Sequence, residues 1–276
     1  MDREGDRGPV AVDLNVDSAL LLQRLVGIDR YPANLMLMPT VFDDGEQARV
    51  DEYVSRQLTD AGILADGVPL PRIAHWLHCL ARPDVELTGE VTDARADPHD
   101  DKSTLRMALA RSGDTHVLAL RHGDAVVLQE LDAGERPVQA VAAAFAACFG
   151  PAPARRFESW SMPAAAFDTL PAGSPERFRR ALLALGAGHR TAGALATLRT
   201  AATRSGGVVM TEHHDGNATR TAGWVGVFDS PHGRTVLAPV RRADGELWCT
   251  FLPGDMPALE FALTRLSLLL PSGTWC

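Results

Sequence analysis

The strongest hydrophobic pattern lies in residues 43–61, where Val50, Tyr53, Val54, Leu58 and Ala61 recur at helical spacing on one face. Asp43 and Glu46 suit a capping box at its start, and Gly62 a left-handed cap at its end. A second helix is predicted from Pro71 to Leu80. Apolar runs separated by turn residues then predict strands near 84–92, 104–111, 115–121 and 125–131. Further on, helices are expected near 175–185 and 190–204, and strands near 207–213, 219–228, 234–240 and 246–252. A last helix, 256–270, carries Leu259, Leu263, Leu266 and Leu270 at helical spacing.

The same order of elements thus occurs twice. THVLALRHGDAVVLQEL (115–131) matches RTVLAPVRRADGELWCTFL (234–252), each reading as two β-rich runs around a turn. Each is followed by a helix with a proline in its first turn, Pro137 or Pro257, and then by Pro151 or Pro271. Met38–Pro39 pairs loosely with Met162–Pro163 upstream. This duplication predicts an α+β fold: two repeat-related subdomains with quasi-two-fold symmetry, built as a central antiparallel sheet flanked by helical bundles. The copies are residues 1–150 and 151–276, joined by GPAPARRF (150–157), and they are expected to fold as one cooperative domain.

Composition changes the picture little. At 46% hydrophobic and 22% charged, the chain is an ordinary globular protein, long enough for a substantial core. No apolar run approaches the roughly 20 residues that span a bilayer, and the charged start, MDREGDRG, is unlike a signal sequence. A cytoplasmic protein without a membrane partner is therefore expected. Cys79, Cys148, Cys249 and Cys276 lie far apart and read as free thiols. Only Lys102 is a lysine among the 27 basic residues, a bias that points to a GC-rich, actinobacterial genome. Charge is uneven, with 14 basic and 25 acidic side chains in residues 1–150 against 13 and 10 in 151–276. No basic stripe interleaved with aromatics occurs, which argues against nucleic acid as a partner.

Two clusters carry candidate chemistry, DPHDD (97–101) and TEHHDG (211–216). Both fall between the first and second strands of their meanders. Asp215–Gly216–Asn217 supplies residues that tolerate positive φ in a tight turn, and strand alternation sends His213 and His214 to opposite faces. Convergence of three or four ligands is what zinc requires, so the clusters read as hairpin tips, with no metal and no cofactor. GAGHRTAG (186–193) follows a helical pattern, which makes Gly186 a helix cap rather than part of a phosphate loop. GxxxxGK[ST], GxSxG and HExxH are all absent, and His75 and His78 read as helix residues packed beside Trp76 and Leu77. No catalytic residues and no small-molecule substrate are expected.

Several segments resemble one family. LVGIDRYPANL (25–35), QLTDAGIL (57–64), LARPDVELTGEV (80–91), GVFDSPHGRTVLAPVRR (226–242), CTFLPGD (249–255) and LLPSGTW (269–275) are similar to the EspG family, cytosolic chaperones of actinobacterial type VII (ESX) secretion. The resemblance implies binding without catalysis. The implied partner is a PE–PPE heterodimer, held through the apolar helical tip of its PPE subunit and kept soluble before export. It also implies contact through the central sheet, the C-terminal helical bundle and a loop, here DARADPHDDKS (93–103), with Ala94, Asp97, His99, Asp100 and Lys102 as candidates. On the sheet the candidates are Ala222, Trp224, Gly226 and Phe228, which strand alternation puts on one face of TRTAGWVGVF; core packing is their other reading. A metal-dependent enzyme using His99, His213 or His214, and a symmetric interaction module without an export role, are the alternatives.

Overall fold

The computed structural model describes residues 10–39, 41–94, 103–171 and 173–275. The fold is α+β, and the chain forms two compact units. One comprises Met1–Thr88 with Leu105–Asp132, the other Gly89–Thr104 with Ala133–Cys276.

The first unit opens with β1 (Ala11–Asn15), which runs straight into α1 (Val16–Val26). Asn15 makes that switch by accepting a hydrogen bond from the Ser18 amide at 2.8 Å, and Gly27 ends the helix at φ 75°. After a 3-10 turn at Ala33–Leu35 come α2 (Asp44–Asp60), the short ribbon β2 (Leu64–Ala65) and β3 (Val68–Pro69), and α3 (Pro71–Ala81). The meander follows: β4 (Val85–Asp93), β5 (Thr104–Ser112), β6 (Thr115–His122) and β7 (Ala125–Glu130). Strand β1 closes it by pairing antiparallel with β7, Val12 opposite Leu128. Leu21 and Leu22 of α1, Val54 and Leu58 of α2, and Ile73, Trp76 and Leu77 of α3 share one core with Ala108, Val117, Val126 and Leu128 of the sheet.

The second unit contains α4 (Pro137–Phe149), β8 (Trp160–Pro163), α5 (Ala164–Asp168), α6 (Pro175–Ala184) and α7 (His189–Leu195). Then come β9 (Arg204–His214), β10 (Asn217–Arg220), β11 (Val225–Ser230), β12 (Gly233–Arg241), β13 (Leu247–Pro253) and α8 (Met256–Ser267). Its strands lie in the order β9-β11-β12-β13-β8, with β10 attached to β9 near the tip. Again the strand that opens the copy pairs with the last of the meander, β8 with β13. Helix α8 packs on β9, β11 and β12 and against α4. Phe167, Phe178, Leu182 and Leu195 from the other helices form a separate core with Leu237 and Phe251 of the sheet. Every residue from Gly233 to Pro239 is buried, the polar Arg234 and Thr235 among them.

Several details differ from the pattern read in the sequence. Residues 11–26 form a strand and a helix, and 160–168 the short β8 and α5, where the hydrophobic pattern predicted no element. The helix expected over 190–204 stops at Leu195; turns follow at 196–200, and β9 begins at Arg204. Tyr53 is exposed, at the flank of a helix face centred on Val54 and Leu58, and its hydroxyl accepts from Gln57 Nε2 at 3.0 Å. The counterpart of Met162–Pro163 is the end of β1, since both precede a helix and pair with the last meander strand; Met38–Pro39 is coil. The compact units also cut across the two copies: α4 and Gly89–Thr104 belong to the second.

Candidate partner-binding face

The segment 219–228 is not one continuous strand. On β9, Val208 and Thr211 are three residues apart; their partners, Val225 and Arg220, are five apart. The two extra residues form a bulge at Thr221–Trp224. The Thr221 side chain replaces part of the lost ladder: its Oγ1 accepts from the Met210 amide at 3.2 Å and donates to the Gly223 carbonyl at 2.9 Å. This bulge re-aims Trp224.

Trp224 folds back over the sheet. A Cβ at Gly226 would sit 2.3 Å from Cζ3 of the indole, and one at Gly207 would sit 3.0 Å from its Cε3. The ring therefore lies flat where those two residues have no side chain. Its edge meets Phe167 of α5 at 6.0 Å between centroids, in a T-shaped contact. Trp224 remains 36% exposed. Phe228 is half-buried against the core of the unit, and Ala222 is exposed beside the tryptophan. The structure thus brings Ala222, Trp224, Gly226 and Phe228 together, but only the first two are exposed.

Trp224 also forms one wall of an apolar cleft of about 420 Å³. Phe167 and Asp168 of α5 line it together with Leu237, Pro239, Leu247 and Cys249 of the neighbouring strands. Burial pushes the Cys249 thiol up to about 12, which leaves it inert as a nucleophile at neutral pH. These walls come from segments far apart in the chain, FDTLP, TAGW, LAP and GELWC. No short motif marks them, and only Ala222 and Trp224 were singled out in the sequence.

Of the loop candidates, Ala94 is exposed at the end of β4, its amide donating to the Thr203 carbonyl at 3.0 Å. Asp97, His99, Asp100 and Lys102 lie outside the described residues. His213 and His214 end β9 beside a two-residue turn, with Asp215 at φ 48° and Gly216 at φ 77°. That is the geometry of a tight hairpin. His214 Nε2 is 3.2 Å from Asp215 Oδ2, with both side chains exposed. Among the described residues no three His, Cys, Asp or Glu side chains cluster to hold a metal ion. No described helix is long and apolar enough to cross a membrane.

An exposed tryptophan beside an apolar cleft is the kind of surface at which proteins commonly receive another molecule. The chain belongs to the EspG family, whose model matches residues 15–265. It is 30% identical over 273 residues to the ESX-3 secretion-associated protein EspG3 of Mycolicibacterium smegmatis, covering 97% of this chain and 90% of that protein. It is 32% identical over 268 residues to the ESX-1 secretion-associated protein EspG1 of Mycobacterium tuberculosis, covering 96% and 89%. The fold matches that of the M. tuberculosis type VII secretion system chaperone EspG5, solved in complex with the PE25–PPE41 dimer. The TM-score is 0.79, at 18% identity, over 96% of this chain and 98% of that one.

Proposed function

We propose that this protein is a cytoplasmic chaperone of type VII secretion. It binds PE–PPE heterodimers, covers the apolar helical tip of the PPE subunit and keeps the pair soluble before export, without catalysing a reaction. Membership of the EspG family over nearly the whole chain carries this reading, and the fold shared with a chaperone solved on a PE–PPE dimer supports it. The receiving surface comprises Ala222 and Trp224 with the adjoining cleft, backed by Gly226 and Phe228, and the loop 93–103 with Ala94, Asp97, His99, Asp100 and Lys102. A face of this kind suits a helical tip that inserts a few apolar anchors. A stable complex would bury about 1,600 Å² in total.

Co-expression with PE–PPE pairs of the source organism, followed by size-exclusion chromatography and calorimetric titration, tests the proposal. One pair should co-elute as a defined complex and remain soluble only in the presence of this protein. Failure of every pair to bind would reject it.

A further inference from the structure

Residues 155–199, which hold β8 and helices α5 to α7, carry seven arginines against three acids, Glu158, Asp168 and Glu176. The chain as a whole has the opposite balance, with 35 acidic and 27 basic side chains. Elsewhere carboxylates pair with Arg24, Arg72, Arg82, Arg111 and Arg234. Among the described residues, none of the seven has such a partner. Arg155 is buried, and its guanidinium donates only to the hydroxyls of Thr197 and Ser230, at 3.3 and 3.5 Å.

Arg177, Arg179 and Arg180 of α6 and Arg190 of α7 are exposed, as is Arg156. Arg177 and Arg180 stand three residues apart on the helix, so their charges repel. Arg177 also lies in the first turn, just after the Ser174 cap, where the helix dipole disfavours a cation. An arrangement that costs helix stability, and stays unpaired where acid is plentiful, fits a surface that meets its carboxylates on another molecule.

These arginines adjoin the Trp224 face. Trp224 meets Phe167 edge-on at 6.0 Å between centroids, and Arg199 covers Phe167 at 4.6 Å and Phe178 of α6 at 5.9 Å. A run of stacked groups thus leads from the cleft to α6. An interface of about 800 Å² per partner is roughly 30 Å across, wide enough to take in both. A bilayer fits less well, because a membrane-surface helix needs an apolar face to insert. Phe178 and Leu182 of α6 are buried, and Leu185, just past its end, is the one large apolar side chain exposed on α6 or α7.

We propose that the partner docked at Trp224 carries an acidic flank, received by Arg177 and Arg180 of α6 and by Arg190 of α7. Each guanidinium fork matches a carboxylate, and their joint field draws an acidic surface into register before the apolar anchor seats. This rests on the reading that the Trp224 face receives the PE–PPE partner.

The test follows the fluorescence anisotropy of a labelled decaglutamate peptide. The wild type should bind it, about tenfold more weakly at 300 mM salt than at 50 mM. Combining Arg177→Gln, Arg180→Gln and Arg190→Gln, all at exposed positions, should weaken binding about tenfold while the melting midpoint holds. Arg30→Gln, Arg49→Gln and Arg56→Gln, which remove the same charge from exposed sites in the other unit, should change it less than about threefold. No binding by the wild type, or an equal loss in both triple variants, would overturn the proposal. So would co-sedimentation with phosphatidylglycerol vesicles that the α6–α7 variant alone loses, since the surface would then read lipid phosphates. These readouts need no PE–PPE pair, so they stand apart from the chaperone reading. With a binding pair in hand, the α6–α7 variant should bind it about tenfold more weakly. Unchanged affinity for the pair would overturn the assignment of the acidic flank to that partner.

Discussion

Trp224 owes its pose to two neighbours that have no side chain. Because the indole rests on Gly207 and Gly226 and stays 36% exposed, its removal uncovers sheet rather than leaving a closed cavity. Trp224→Ala should therefore keep its thermal midpoint within a few degrees while losing about 2 kcal/mol of partner binding, roughly thirtyfold in dissociation constant. Calorimetric titration beside a melting curve measures both. An unfolded variant would place the residue in the core; a folded one with full affinity would place the anchor elsewhere. His116 offers a second handle. Burial holds its imidazole below the ordinary 6.5, although the Asp114 carbonyl pulls the other way. The unfolded chain thus takes up a proton that the folded chain resists, and this contribution to stability is lost as pH falls through about 6.5. Urea unfolding of the wild type at pH 7.5 and 5.5 should show a drop that His116→Gln reduces.

The β11–β12 hairpin is held by a buried pair. Arg234 Nε donates to Asp229 Oδ1 at 2.7 Å and its Nη2 to Oδ2 at 2.8 Å, and the same Nη2 reaches the Gly150 carbonyl at 2.8 Å. Removing one partner strands a buried charge, so Asp229→Ala should cost about 3–5 kcal/mol in urea unfolding. A cost below about 1 kcal/mol would mean that water replaces the carboxylate. This pair was not legible in the sequence, where DSPHGR reads only as a turn. Elements were legible where local chemistry fixes their ends. Helix α2 begins at Asp43, whose Oδ1 accepts from the amides of Gly45 and Glu46 at 3.0 Å each, and both the cap and the apolar face were in the pattern. Strand β1 was not legible, because AVDLN is short and passes directly into the helix, with only the Asn15 cap to mark the join. Helix α7 was read too long because alanine-rich sequence favours helix, while the chain leaves the helix through turns at 196–200. The site followed the same rule. Alternation put Trp224 and its neighbours on one face, but its exposure depends on a bulge and the cleft beside it on strands far away in sequence.

At the scale of the whole molecule, the path of the chain matters more than the two-copy arithmetic. It passes from the first unit to the second between Thr88 and Gly89, inside strand β4, and returns at Leu105 within β5. Two units that divide single strands between them are expected to melt together, and we propose that they form one cooperative domain. Calorimetry should give one transition with equal calorimetric and van't Hoff enthalpies; two separated transitions would refute this. The fragment 157–276, which corresponds to the second copy, lacks α4. It would lose the buried Phe145 and Phe149 and the helix against which α8 packs. Such a fragment should be insoluble or show no cooperative transition, and a soluble, cooperatively folding fragment would contradict the proposal.

Strand β8 lies outermost in its sheet and is four residues long, Trp160 to Pro163. Its last residue has no amide hydrogen, and the chain turns at once into α5. Such a stub gives a stray strand almost nothing to copy. A protein whose proposed task is to hold sticky clients at high local concentration thereby limits the growth of its own sheet into theirs.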